Sequence, residues 1–370
     1  MLSFAGYNFN SMKYFLRIIF LGSVLIVFSC KSTKVVENLN NSEKIEEPSK
    51  KIVPVCVGFY NLENLFDTID QENRDEEFLP GGAKKWNTEK YKIKLSNMAK
   101  VISEIGAEYS PDGVAVLGVA EVENDIALND LVNTPPLKQR GYKFIIYPSP
   151  DERGVDVGLI YNPRYFQPEF SYSYTLKIDD DTAFKTRDQL LVKGKLLGEE
   201  TYFMVAHWPS RRGGQERSEP KRMAAAALGR KIIDSILTVD PGAKIIYMGD
   251  LNDDPVDNSL KKVLKGDCPV ENLDPDEMYN PMECLYKKGM GTLKYRDKWN
   301  LFDQMLLTRA WIKERKGLYL YKVHIFNKPY LFNESGSFKG YPYRTFSGNN
   351  FIGGYSDHLP VYVILSKELE

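Results

Sequence analysis

In several places along this chain a strand-forming apolar run ends in side chains that can move protons, hold a cation or grip an anion. The clearest is Lys244-Ile245-Ile246-Tyr247-Met248, which feeds into Gly249-Asp250-Leu251-Asn252. A strand that turns at glycine presents its next polar side chains at the rim of a sheet. Asp250 and Asn252 lie two residues apart, so on an extended chain they point the same way. Together they supply an anionic base or ligand and a neutral amide donor. Phosphoryl transfer needs both, because water has to be oriented while charge on the phosphoryl oxygens is stabilised. Taken alone, the same residues serve equally well as an Asx turn that closes a strand.

The chain has three histidines, and two fall in comparable places. Met204-Val205-Ala206 delivers His207 to a strand end, followed by Trp208-Pro209-Ser210-Arg211-Arg212-Gly213-Gly214. Guanidinium forks and flexible backbone amides in such a loop can wrap an anion. Ser356-Asp357-His358-Leu359-Pro360 sets a carboxylate beside an imidazole just before the last apolar run. The alternatives are a solvated basic turn in the first case and a satisfied surface histidine in the second.

Three further runs end the same way. Phe59-Tyr60-Asn61-Leu62-Glu63-Asn64 closes the first strand, and Gly118-Val119-Ala120-Glu121-Val122-Glu123 ends another in acids. A glutamate so placed suits a hard cation, since magnesium takes few carboxylates and keeps its waters. Asp303 interrupts the buried-looking run Trp299–Leu307, and a buried carboxylate needs a partner such as a histidine. Each of these is weak singly. Their succession at one strand end after another is the stronger signal.

The elements that must hold these groups are legible as short strand-like runs at 53–60, 113–119, 142–147, 155–161, 190–196, 201–206, 244–248, 302–307 and 361–365. Helical patterns cover 88–105, with Thr88 as the expected N-cap, and 219–236. Many short strands with few helices imply two packed sheets flanked by helices. One domain over residues 53–370 is the simplest partition.

The composition is that of a globular chain, 43% hydrophobic and 27% charged. A net charge of -1 lacks the global basic signature of a nucleic-acid binder, so any polyanion site has to be local. Residues 12–30 carry Lys13 and Arg17, then an apolar run too short to span a bilayer, then Val27-Phe28-Ser29-Cys30. That pattern resembles a lipoprotein signal peptide over residues 1–30, with Cys30 as the lipidated residue; an uncleaved anchor is the alternative. Both put the body outside the cytoplasm. Residues 31–52 are polar and read as a disordered tether. Cys56 reads as a small core residue, and Cys268 and Cys284 could pair in an oxidising compartment.

The order of Asn61, Glu121, His207, Asp250 with Asn252, Asp303 and Asp357-His358 resembles the endonuclease/exonuclease/phosphatase superfamily. The resemblance covers about residues 53–367, with GDLND, HWPSRRGG and SDHLP as its most specific pieces. It implies an α/β fold, a four-layer αββα sandwich of two mixed sheets with the site at one end. It also implies a divalent metal, Mg2+ or Mn2+, with Glu121 as principal ligand and Asn61 and Asp357 close to it. Asp250 would activate the attacking water. Asn252 would help hold the pentacoordinate phosphorus, and His358, oriented by Asp303, would bond a phosphoryl oxygen or act as acid and base. His207 would stabilise the same charge, with Asp156 as its supporting carboxylate. Arg187 would stand near the substrate phosphate, and Glu63 and Glu123 would back the site. In the residues themselves, Arg211 and Arg212 are the expected anion-wrapping pair.

Three functions follow for a monomer anchored to a bacterial membrane only through its lipid. The first is an extracytoplasmic nuclease or other phosphodiesterase acting on nucleic acid. The second is a lipid or sugar phosphoesterase, because the tether brings head groups within reach. The third is an inactive binding lipoprotein, which the complete set of acids and histidines disfavours. The stretch from about 265 to 300, with Tyr286, Thr292, Tyr295 and Trp299, is where specificity would reside.

Overall fold

The computed structural model describes residues 51–71, 75–274, 276–312 and 317–369. The leader, Cys30 and residues 31–50 of the expected tether lie outside the described residues. Among the described residues no helix is long and apolar enough to cross a membrane.

In chain order the elements are β1 (Lys51–Leu65), α1 (Thr88–Glu104), β2 (Val114–Val122), α2 (Asp125–Val132), β3 (Lys143–Ile146) and β4 (Asp156–Tyr161). Next come β5 (Phe166–Tyr174), β6 (Gln189–Leu196), β7 (Glu199–His207), α3 (Gln215–Val239) and β8 (Ile245–Asp250). Then follow β9 (Gly266–Asp267), β10 (Met278–Tyr279), α4 (Pro281–Tyr286), β11 (Leu293–Tyr295), β12 (Lys298–Asn300) and β13 (Asp303–Leu307). The last are β14 (Leu318–Ile325), β15 (Phe346–Ser347), β16 (Asn350–Phe351) and β17 (Val361–Leu369).

One six-stranded sheet runs β14-β17-β1-β2-β4-β3, and a seven-stranded sheet runs β5-β6-β7-β8-β13-β10-β9. Both are mixed: β1 and β2 are parallel, as are β7 and β8, with antiparallel neighbours on either side. The apolar residues of β7, β8 and β13 sort by a period of two. Phe203, Val205, Ile246, Met248, Met305 and Leu307 join the core between the sheets. Met204, Ala206, Ile245, Tyr247 and Leu306 join a second core with Ala225, Ala226, Ile232 and Ile233 of α3. Strands buried on both faces have to be apolar on both, which is why they read as continuous runs. The sheets meet closely at Gly118, where a Cβ would stand 3.1 Å from the Met248 sulfur. Met98, Ala99 and Ile102 of α1 belong to the same core as β1 and β2. The result is the four-layer αββα sandwich.

Every predicted strand is present. Eight more appear: six are the two- and three-residue strands β9 to β12, β15 and β16, and the longer two, β5 and β14, each lie at a sheet edge, where one half-exposed face blurs the apolar run. The expected tether gives up Lys51 and Ile52, which open β1 opposite Leu369 and Glu368. The cap of α1 is Asn87, not Thr88: its side chain accepts from the Lys90 amide, and Thr88 is the first helical residue. Cys56 is buried and free, and Cys268 and Cys284 form a disulfide with their Cα atoms 6.0 Å apart.

Candidate active site

The two-residue period that sorts the core also aims the chemistry. His207 follows Phe203 and Val205, Asp250 follows Ile246 and Met248, and Asp303 precedes Met305 and Leu307, so all three side chains turn toward the facing sheet. Cross-strand register holds them level, with His207 opposite Asp250 and Asp250 opposite Asp303. From the other sheet Asn61 follows Val57 and Phe59, whose ring lies against Gly118 on the inner face. Glu121 reaches the site differently. It sits in a register shift of β2 with φ 60, a left-handed conformation that re-aims its carboxylate. Glu63, Asn64 and Asn252 also have positive φ, at 50, 54 and 51. Such conformations are costly for residues with a Cβ and persist only where the surroundings impose them, as active sites do.

Asp250 is the centre. Asn61 Nδ2 donates to its Oδ2 at 3.1 Å, His207 Nε2 stands 3.5 Å from the same oxygen, and His358 Nε2 stands 3.9 Å from it. The Asn252 amide N–H donates to Oδ1 at 3.1 Å. Glu121 approaches the same nitrogen of His207, its Oε1 3.9 Å from Nε2, and its Oε2 accepts from the Asn64 amide at 3.0 Å. Asp303, fully buried, takes His358 Nδ1 on its Oδ2 at 2.7 Å. That contact fixes the ring and leaves Nε2 facing Asp250. The link expected from the sequence between Asp303 and a histidine is this one.

The charges follow from these neighbours. Burial pushes Asp250 up to about 7, helped by Asp303 and Glu121 and opposed by His358. Burial works against a charged His358, but Asp303 and Asp250 outweigh it and hold its pKa well above the imidazole range. His207 goes the other way: burial, then Arg187 and Arg153, lower it, and its Nδ1 has no partner.

Other expected residues take different places. Asp156 does not support His207. Its Oδ1 accepts from the Ser149 amide at 2.8 Å, because β4 pairs with β2 and carries Asp156 into the other sheet. Burial pushes it up to about 7. Arg211 does not face an anion site. Its guanidinium donates to Asp257 at 2.7 Å, Asp253 at 3.2 Å and the Asn252 carbonyl at 2.9 Å, and lies over the Phe302 ring. It braces the GDLND loop instead, and only Arg212 is exposed toward a cleft. Arg187 is buried, bound to Asp151 at 3.0 Å and to the Trp208 carbonyl. Asn252 gives one amide hydrogen to that carbonyl at 3.0 Å. Glu123 accepts from the Asp67 amide at 2.8 Å, beyond the site.

Asp357 and Glu63 share a cation that the sequence reading missed. Arg344 donates to Asp357 at 2.8 Å and to Glu63 at 3.2 Å. Lys94 lies beneath, 1% exposed, bonded to Thr345 Oγ1 and the Tyr355 carbonyl at 2.6 Å and 3.9 Å from Glu63. Lys94 had a signal, since it falls on the buried stripe of α1 with Tyr91, Leu95 and Met98. Arg344 had none. The β11–β12 hairpin, expected to carry specificity, borders the site through a bridge between Leu293 and His358, with Tyr295 exposed at its tip.

Among the described residues no group of three or more His, Cys, Asp and Glu side chains is placed to cage a metal ion. Magnesium does not require one, because one or two carboxylates and its own waters complete its shell. Glu121, with Oε1 free of hydrogen bonds among the described residues, is a hard-oxygen ligand of that kind, and the Asn61 amide oxygen and the Asp357 carboxylate are further oxygen donors. The residues therefore fit a divalent cation.

A buried carboxylate with two amide donors and two imidazoles around it, at one end of a β-sandwich, suits the hydrolysis of a phosphoester. Comparison with protein families agrees: residues 56–367 match the Endonuclease/Exonuclease/phosphatase family. The chain belongs to this family, whose members hydrolyse phosphate esters and generally use divalent metals. No curated protein matches in sequence. Solved structures share the fold. An endonuclease/exonuclease/phosphatase family protein from Bacteroides thetaiotaomicron aligns with TM-score 0.52 at 14% identity, over 87% of this chain and 98% of that one. Mannosyl-6-phosphatase of Bacteroides thetaiotaomicron gives 0.51 at 15%, over 84% and 99%. TDP2 of D. rerio, humanised by 14 mutations, gives 0.50 at 16%, over 85% and 99%.

Proposed function

We propose that this enzyme is an extracytoplasmic phosphodiesterase, with nucleic acid as the favoured substrate, that hydrolyses a P–O bond by in-line attack of a water activated by Asp250. The observation that carries the reading is the convergence of Asn61, His207 and His358 on one buried oxygen of Asp250. Asn61 orients that carboxylate, which takes the proton of the water as it attacks. His358, held charged by Asp303, donates toward the phosphoryl oxygens or returns a proton to the leaving oxygen. His207 and the second amide hydrogen of Asn252 face the same developing charge. Glu121, with Asn61 and Asp357, would hold Mg2+, or Mn2+ in its place, and such a cation supplies Lewis-acid stabilisation of the phosphoryl oxygens. Lipidation at Cys30 would keep the monomeric enzyme at a bacterial membrane.

A lipid or sugar phosphoester is the second reading. It is favoured by the net charge of -1, which gives little long-range attraction for a duplex, and by the leader, which brings head groups within reach. The test uses the full chain with Mg2+ on a generic phosphodiester, then on plasmid DNA and on phospholipid vesicles. Turnover with metal and its loss in chelator are expected, with nicking of the plasmid. Head-group release without nicking would transfer the assignment to the second reading. A folded protein inert toward every phosphoester would overturn both.

A further inference from the structure

The loop that follows His207 borders a cleft of about 610 Å³, which Pro209 and Ser210 help to line. Its charge is opposite to that of the neighbouring hollow of about 930 Å³, lined by Glu123, Asp125, Asp151, Glu152 and Asp156 with Lys185 as its one cation among the described residues. The smaller cleft is lined by Arg153, Lys185, Arg187, Arg212, Arg217 and Lys221, against Asp151 and Glu152. Three of these cations are already matched by acids, Arg153 and Arg187 by Asp151 and Lys221 by Asp181 at 3.1 Å. Lys185, Arg212 and Arg217 have no ion pair among the described residues, and all three are exposed. Gly213 and Gly214, with φ of 84 and 114, lead the chain past the cleft into α3.

The floor is built as well as charged. Thr186 and Arg187 are 3% and 7% exposed and both line the cleft, yet Thr186 Oγ1 and Arg187 Nε have no hydrogen-bond partner. Buried donors are almost always satisfied in a folded protein, so two unsatisfied ones in residues that line a cleft with three unpaired cations point to a ligand with several acceptor oxygens. The floor is tied to the reaction centre by one carbonyl, that of Trp208, which accepts from both Arg187 and Asn252.

We propose that this cleft is a second phosphate subsite, which takes a phosphate of the substrate other than the one hydrolysed. The proposal rests on the phosphoesterase reading above and narrows it to substrates with at least two phosphates. These are a nucleic-acid strand, whose next phosphodiester enters the cleft, or a sugar carrying a second phosphate. Both offer the same chemistry to Thr186, Arg187 and the three unpaired cations, and a single monophosphate leaves the cleft unused.

The test measures binding by calorimetry to the full chain in chelator, where turnover does not intervene. Thymidine 3′,5′-bisphosphate is compared with thymidine 5′-monophosphate, and fructose 1,6-bisphosphate with fructose 6-phosphate. In at least one pair the bisphosphate is expected to bind about tenfold tighter or more, the scale of one charge-assisted contact. In Lys185→Gln/Arg217→Gln, both exposed positions, that preference is expected to fall below about threefold with an unchanged melting temperature. The pair that shows the preference identifies the source of the second phosphate. Equal affinities within both pairs, or a preference that survives in the double variant, would overturn the subsite. Failure of the phosphoesterase reading shows itself separately, as no hydrolysis with Mg2+, and leaves the binding comparison decisive.

Discussion

On one side of Asp250 stands His358, bonded through Nδ1 to a carboxylate and held protonated. On the other stands His207, equally buried, with nothing on Nδ1, where burial, reinforced by two arginines nearby, keeps it neutral. The same side chain at the same depth thus has two protonation states, and the difference is the neighbour behind each ring. Burial alone disfavours the charged imidazole, and one carboxylate at hydrogen-bond distance reverses that. The site therefore has a charged donor on the β13 side of Asp250 and a neutral one on the β7 side. Only the first can lose its proton at high pH.

Removing the carboxylate they share should have the largest effect. Asp250→Asn is expected to lower kcat by about a thousandfold or more and to leave the fold intact, because a carboxyl pushed up to about 7 by burial is not a source of stability at neutral pH. A variant that turns over near the wild-type rate would remove Asp250 from the mechanism. Asp303→Asn tests the asymmetry directly, with an expected loss of about a hundredfold. Without the carboxylate the folded His358 titrates at lower pH, so the alkaline limb of the pH–rate profile should move down. An unmoved limb would assign that limb to another group. The acid limb belongs to Asp250, so activity should rise as pH climbs toward 7, and a bound cation would shift that rise lower.

His207→Gln should cost less, about tenfold, and should leave the alkaline limb in place, because a neutral ring has no proton to lose there. A matching shift in both variants would mean that the two histidines are equivalent. The smallest effect concerns Asp156, which the fold separates from both. Its folded pKa is raised, so its contribution to stability is complete below pH 4, the unfolded range, and is lost as pH rises through about 7. Asp156→Asn should therefore gain on the wild type by about 2 to 3 kcal/mol between pH 5 and pH 8 in denaturant titrations. An equal difference at both pH values would return Asp156 to an ordinary surface pKa.

The contrast between Arg211 and Arg212 shows where sequence reading stops. Adjacent and identical in type, they were indistinguishable as anion-wrapping residues. In the folded chain Arg211 turns onto Asp253 at the end of the GDLND turn and Asp257 beyond it, and Arg212 remains in the cleft. A one-residue step rotates a side chain to another face, and no local pattern says which face carries the acids. Asp156 failed for a related reason: its place in β4 was legible, but which strand lies opposite is a non-local fact. Lys94 was legible in principle as a charge on a buried helical stripe. Arg344 comes from an irregular loop that has no period to read.

The sequence by itself determined the strands, the two-residue period within them and the polar residue at each end. Those are consequences of local burial and chain geometry, and they sufficed to bring His207, Asp250 and Asp303 to one face. It also carried the order of motifs that marks the family. Only the tertiary structure decided which histidine has a carboxylate behind it, which arginine is spent on bracing a loop, and that Arg344 pairs with Asp357 and Glu63 while Lys94 lies beside Glu63. Those outcomes depend on distances between residues far apart in the chain, and protonation and pairing respond to distance rather than to order.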